Sequence, residues 1–187
     1  MTWEAYLLRF EQILSREFTN EIYDKEAYRD YVKMNHSRMQ RWLKTVQINP
    51  KLIESIQNIK EKQNWYLITE PWCGDAAHSV PFIHLMAQRN ENISLKIVLR
   101  DENTDFIDQY LTNGGRSIPK LIIRSEAGED LNVWGPRPKD LAAIHTQLKA
   151  EDASFDVINQ TLQTWYNENK GRDIQDEFIQ LLNTVKN

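Results

Sequence analysis

The sequence predicts an α/β fold: a mixed sheet with helices on both faces, extended by further helices at the N- and C-terminal ends. Three observations carry this. Apolar residues recur at the helical interval of three and four through the first sixty or so positions. From Asn64 to Trp134 short strand-like runs take over, with helical stretches between the first three of them. From Leu141 onward the helical period returns. The resulting order, β-α-β-α-β-β-α, requires a parallel pair joined by crossovers and then an antiparallel hairpin. We read the chain as one domain in three parts: a helical N-terminal extension over 1–62, a core over 63–150 and C-terminal helices over 151–187.

Residues 2–15 set Trp3, Tyr6, Leu7, Phe10, Ile13 and Leu14 on one helical face. A second helix begins near Asp24 and carries Tyr28, Tyr31, Val32, Met39, Trp42, Leu43 and Val46 on one side, with Lys33, His36, Arg41 and Lys44 on the other. It stops before Asn49-Pro50, because the residue ahead of a proline is pushed out of the helical region. Pro50 suits the first turn of a third helix reaching about Lys62, with Leu52, Ile53, Ile56 and Ile59 inward.

Trp65–Thr69 reads as a buried strand, and Ala76–Gln88 as a helix with Val80, Ile83, His84 and Ala87 inside. Ile93–Leu99 is the second strand. Asn103 or Thr104 starts a short helix bearing Phe106, Ile107, Tyr110 and Leu111, which Asn113-Gly114-Gly115 ends. Leu121–Ile123 and Leu131–Trp134 form a hairpin around Ala127-Gly128-Glu129. Gly135-Pro136-Arg137-Pro138 breaks the chain before a helix with Leu141, Ile144, His145 and Leu148. Phe155–Tyr166, with Val157, Ile158, Leu162 and Trp165 inward, is a further helix; Gly171 stops it, and Ile174–Val185 is the last.

The composition, 41% hydrophobic and 27% charged over 187 residues, is that of a globular chain able to bury a real core. No apolar run approaches a membrane span, and Glu4 and Arg9 interrupt the N-terminal apolar residues, so neither a membrane nor a secretory leader is expected. A net charge of −4 gives no reason to expect nucleic acid. Charge is uneven, however. Residues 31–62 hold 7 Lys and Arg against 2 Asp and Glu, and residues 150–187 hold 3 against 7, so the two ends are candidates for mutual attraction. The single cysteine excludes an internal disulfide and a cysteine-based zinc site, and points to the cytoplasm.

That cysteine, Cys73, lies in Thr69-Glu70-Pro71-Trp72-Cys73-Gly74-Asp75-Ala76-Ala77-His78, where a strand gives way to a helix. A thiol at a helix N-terminus meets unpaired N–H groups and the positive end of the dipole, both of which favour thiolate. Asp75 and Glu70 oppose this where ionised nearby. Asp75 is equally an ordinary first-turn residue; for Cys73 the alternative is an inert, buried small hydrophobe, against which its junction placement and Trp72 favour reactivity. His78 is one and a half turns on and points to another face, while His36, His84 and His145 are scattered, so no Cys–His pair and no metal site are expected.

The element order, Trp72-Cys73-Gly74 at the first strand–helix junction and Ser117-Ile118-Pro119 before the third strand together resemble a thioredoxin fold over about residues 63–150. More narrowly the chain resembles a bacterial thioredoxin-like subgroup that has a Trp-Cys-Gly-Asp-Ala motif and a helical N-terminal extension. Arg100-Asp101-Glu102-Asn103, Gly114–Lys120, Trp134–Pro138 and Trp165-Tyr166 extend that similarity to nearly the whole chain. The resemblance implies a cis peptide at Pro119, a loop at Ile118–Pro119 lying against Cys73, and Trp72 shielding the sulfur.

The departures restrict the chemistry. A dithiol thioredoxin has its resolving cysteine where Ala76 stands, usually a proline at Asp75, and a buried aspartate at Leu67. Without a second thiol no intramolecular attack can release a mixed disulfide. The expectation is therefore monothiol redox or thiol-sensing chemistry at Cys73, with protein or low-molecular-weight thiols and disulfides as partners. Trp72, Gly74, Asp75, Ile118 and Pro119 shape the site. Arg116 and Arg137, in loops on the Cys73 side, either hold a thiolate or ligand carboxylate or pair locally at the surface. Monothiol glutaredoxins share the fold and bind an iron–sulfur cluster, but their Cys-Gly-Phe-Ser signature is absent, so no cofactor is expected. The alternative is a non-catalytic module that binds extended peptides or protein partners beside Pro119.

Overall fold

Three helices lead the chain: α1 (Trp3–Leu14), α2 (Glu26–Thr45) and α3 (Pro50–Gln57). Then come β1 (Gln63–Thr69), α4 (Gly74–Ala87), β2 (Ile93–Leu99), α5 (Thr104–Ile107) with a 3-10 turn at Asp108–Tyr110, β3 (Lys120–Ser125) and β4 (Asp130–Trp134). The helices α6 (Lys139–Ala150), α7 (Phe155–Asn169) and α8 (Arg172–Thr184) follow. This is the computed structural model of the chain, and it describes residues 1–184; Val185, expected in the last helix, lies outside the described residues.

The sheet order is β2-β1-β3-β4. β1 and β2 pair in parallel from Gln63 and Ile93 to Thr69 and Leu99, joined by the α4 crossover. β3 runs antiparallel to β1, Leu67 facing Leu121, and closes the hairpin with β4. β1 is thus central, which is why Trp65, Leu67 and Ile68 are wholly buried. The fold is the expected mixed α/β arrangement with added helices at both ends.

Local chemistry sets most boundaries. Thr2 accepts the Ala5 N–H at 3.2 Å to start α1, Asn49 and Pro50 start α3, and Ser154 starts α7. The third helix ends at Gln57 rather than near Lys62, because Asn90 and Asn92 donate their side-chain amides to the carbonyls of Ile56, Ile59 and Lys60. Those carbonyls find partners outside a helix, and Ile59 is still buried. The second helix begins at Glu26, after a turn in which the Asn20 carboxamide accepts the Ile22 and Tyr23 N–H groups. Val157, expected inward, is 48% exposed, since α7 turns Ile158, Leu162 and Tyr166 to α6 instead.

The position of α4 differs most from an ordinary surface helix. Ala76 through His84, with Met86 and Ala87, are all buried, so every face is covered. The sheet takes one side and α2 another. The C-terminal segment takes a third, where Gly171 (φ 76°) rests on Phe82 so closely that a Cβ would sit 2.0 Å from the ring. The N-terminal helices thus pack over α4 and reach the loop before Cys73. The charge contrast between the two ends makes no ion pair among the described residues. They meet through amides instead, Arg41 to Asn167 at 3.0 Å and the Asn49 N–H to Gln175 at 2.7 Å. No described helix is long and apolar enough to cross a membrane.

Candidate functional site

β1 ends at Thr69, and Glu70-Pro71-Trp72 turns the chain so that the Cys73 N–H reaches the Glu70 carbonyl at 3.1 Å. Cys73 then stands as the N-cap of α4 with extended backbone, φ −77° and ψ 120°, and no side-chain capping bond. Its sulfur instead turns across the sheet end. The thiol donates to the Ile118 carbonyl at 3.3 Å, immediately before Pro119, whose peptide bond is cis. Only 7% of Cys73 is exposed. Ala76 and Leu67, where a dithiol site would carry its second thiol and its acid, are packed into the core.

The thiol is pushed up to about 12, first by burial and then by the charge of Asp75. The N–H groups of Ala76 and Asp75 and the Arg137 guanidinium pull the other way and lose. The helix-start effect read from the sequence is therefore present, but smaller than the cost of placing a charge in so dry a position.

Asp75 is no free carboxylate. One oxygen takes Arg137 Nε at 3.2 Å and the Arg137 Nη2; the other accepts the Tyr166 hydroxyl at 2.8 Å. Tyr166 in turn stacks on His78, centroids 4.1 Å apart and 8° from parallel. Trp42 donates its indole N–H to His78 Nδ1 at 2.9 Å, which assigns the ring proton to Nε2, facing Gln163 Oε1 at 3.2 Å. Burial, with Arg38 next in weight, pushes His78 down to about 3, so it stays neutral. A chain of contacts thus runs from the N-terminal extension through α4 to α7 and the loop after β4.

That loop meets the Pro119 loop backbone to backbone. Gly135, at φ 111°, is so close that a Cβ there would lie 2.3 Å from the Pro119 carbonyl oxygen. The Gly135–Pro136 bond is also cis. Buried Lys120 ties the same region, donating to the Gly135 carbonyl at 3.2 Å and to Thr112. This close approach delivers Arg137 to Asp75. Arg116 is placed differently: its guanidinium grips both Asp108 oxygens at 2.6 and 2.7 Å on the surface. Of the two arginines, the structure brings Arg137 to the start of α4 and leaves Arg116 in a local pair.

Trp72 is half-buried. Its N–H reaches Asp101 at 3.3 Å, the Arg100 guanidinium lies 4.7 Å from its ring and Tyr28 of α2 stands edge-on at 6.1 Å. Beneath it, buried Glu70 accepts the Tyr23 hydroxyl at 3.1 Å and the Asp101 N–H at 2.8 Å. Burial raises Glu70 to about 7 despite these bonds. Asn35 of α2 donates to the Pro71 carbonyl at 3.0 Å. The roles of Tyr23, Asn35, Trp42 and Tyr166 escape a sequence reading. Each looks like an ordinary helical residue, and only Tyr166 stood in a motif. Among the described residues no group of three or more His, Cys, Asp and Glu side chains is placed to hold a metal.

Comparison with known proteins matches residues 22–149 to a family model described as thioredoxin. Two solved structures align over 100% of both chains at 15% identity: an HIV epitope-scaffold, TM-score 0.59, and a protein of unknown function from Pseudomonas aeruginosa, TM-score 0.58. At that identity they speak for the fold alone. No curated protein matches the chain.

Proposed function

Because the chain belongs to the thioredoxin family, we propose that Cys73 carries out slow monothiol exchange, its thiol kept neutral until a partner engages the loop at Pro119. The observation that carries this reading is the Cys73 thiol resting on the Ile118 carbonyl beside the cis Pro119. In thioredoxins that loop orients an extended substrate backbone beside the nucleophile. In the first step the Cys73 thiol loses its proton to solvent and its thiolate attacks a disulfide sulfur. A mixed disulfide forms and a partner thiolate leaves, taking up a proton. A second, external thiol then attacks the mixed disulfide, regenerating Cys73 and releasing a new disulfide. The external thiol is the reductant, as Ala76 supplies none.

Magnitudes argue for slowness. A thiol raised from 9 to about 12 loses about three decades of thiolate at neutral pH, while greater intrinsic nucleophilicity returns somewhat more than one. Exchange slower than at a free cysteine by a factor on the order of tens suits a sensor or an occasional reductant better than a high-flux reductase. The family subgroup with a Trp-Cys-Gly-Asp-Ala motif and no resolving cysteine is the assignment this reading favours.

The burial of Cys73 also favours a second reading, a non-catalytic module that binds an extended partner beside Pro119. Mass spectrometry after incubation with oxidised glutathione separates the two. A Cys73 adduct that reduced glutathione reverses is expected from monothiol exchange. Absence of any adduct after prolonged incubation, with the thiol still alkylated on denaturation, would leave the binding module.

A further inference from the structure

We propose that a basic groove on the outer side of α2 docks a short acidic, extended segment of a partner protein. Asp30, Lys33, Met34, Ser37, Arg38 and Arg41 line this open groove, whose volume is ≈ 480 Å³. Its two arginines are unusual in having no acid, a condition that only Arg89 shares among the described arginines. None of Lys33, Arg38 and Arg41 forms an ion pair among the described residues, although Arg9, Arg29, Arg100, Arg116, Arg124 and Arg137 all do. Arg38 gives Nη1 to the Asn35 carboxamide at 3.1 Å, and Arg41 gives Nη2 to the Asn167 carboxamide at 3.0 Å. Each guanidinium has five N–H donors, so both keep most of their bonding capacity for a ligand.

Arg38 is also partly buried, and both that burial and the charge of Arg41 disfavour its cationic form. A half-buried guanidinium crowded by a second, exposed one, neither with a counter-charge, is a cost that a carboxylate in the groove removes, by the bidentate geometry arginine favours. Exposed Met34 adds an adaptable apolar contact between the charges.

Size and surroundings select the ligand. From Asp30 to Arg41 the helix advances about 16 Å, the reach of about five extended residues. A nucleic acid carries its charge on well beyond that length and would run onto acidic surfaces. Asp30 closes one end of the groove, and the C-terminal segment that meets Arg41 is itself acidic, 7 Asp and Glu to 3 Lys and Arg over 150–187. The groove also adjoins the Cys73 loop. Asn35, which receives Arg38, donates its own amide to the Pro71 carbonyl, and Tyr28 touches Trp72. α2 thus carries the groove on one side and contacts to the Pro71-Trp72 loop on another, and docking needs no chemistry at Cys73 and stands or falls independently of it.

The test is fluorescence anisotropy on the full chain with a fluorescein-labelled, glutamate-rich peptide bearing one central leucine, at low and moderate salt. Saturable binding that weakens with salt is expected, and it should fall about tenfold or more in the Lys33→Glu/Arg41→Glu double variant. Both side chains are exposed, and far-UV circular dichroism with a thermal melt verifies that this variant folds; Arg38→Gln, which keeps size and polarity, should also weaken binding. A Cys73→Ser control should bind like the parent. No saturable binding at low salt, or equal binding by a folded double variant, overturns the proposal. So does tighter binding of a single-stranded oligonucleotide of matched charge.

Discussion

Arg137 reaches from the loop after β4 to the Asp75 carboxylate at the start of α4, and both side chains are almost buried, 14% and 12% exposed. The motif's aspartate is thereby a tether before it is anything else. It fastens the helix that carries Cys73 to the loop that rests on Pro119.

The tether predicts opposite effects on the thiol. Asp75→Asn removes the charge that opposes the thiolate, and Arg137→Met removes one that favours it. The alkylation rate of Cys73, followed across pH, should shift to lower pH in the first variant and to higher pH in the second, each unit of fall raising the thiolate fraction about tenfold. Shifts of the same sign in both would mean that changed exposure, rather than charge, governs the sulfur.

Stability should respond to the same pair. Removing either partner alone leaves a nearly buried charge uncompensated, at a cost of about 3–5 kcal/mol. Asp75→Asn/Arg137→Met together should cost clearly less than the sum of the two. Urea unfolding of the four proteins closes the cycle, and simple additivity would argue against the coupling.

A third prediction concerns pH. Neutral, buried His78 and His84, pushed down to about 3 and about 4, stabilise the fold fully above the ordinary histidine value and lose that contribution as pH falls below it. Glu70 has the reverse sign. Raised to about 7, it holds a proton that the unfolded chain has already lost, so stability declines from about pH 4.5 to pH 7 on its account. Two histidines outweigh one glutamate, giving a net rise toward pH 6.5 followed by a small fall. Glu70→Gln should steepen the rise and abolish the fall in unfolding free energy measured over that range.

Gly135→Ala should lower stability by at least about 2 kcal/mol, because φ is 111° and the new Cβ meets the Pro119 carbonyl rather than a movable side chain. Thermal melting measures the loss. The Cys73 alkylation rate should also change, since the displaced partner is the loop under the sulfur.

Ala76→Cys places two thiols at i and i+3 of the first helical turn, within disulfide range. Mild oxidation should then remove both free thiols, with gain of turnover on a small disulfide. Persistence of two titratable thiols would show that the turn around Cys73 differs from that of a dithiol site.

What the sequence made legible follows from range. The strands, the parallel pair and the hairpin depend on periodicity and local turn signals, while the placing of Cys73 beside Pro119 rests on the resemblance to a thioredoxin fold. The partners of Asp75 rest on neither. Arg137 and Tyr166 are distant in sequence, and nothing in their own neighbourhoods marks them as converging. Arg116 and Arg137 looked alike on paper; a close approach of two backbones at Gly135 sent one to Asp75, and a neighbouring acid, Asp108, kept the other. The sequence leaves the thiol's state open for a related reason. Helix position is visible in sequence, whereas dryness depends on what covers the helix.

The enclosure of α4 limits what can be cut from this protein or moved into another. A helix with no wetted side has little tolerance for losing a neighbour, so residues 63–150 excised alone would bare Phe82, His78 and His84, which pack on Trp42 and Trp3, and should be prone to aggregate. Grafting this Cys73 segment into another thioredoxin would likewise carry across a motif without the surroundings that give its thiol its character.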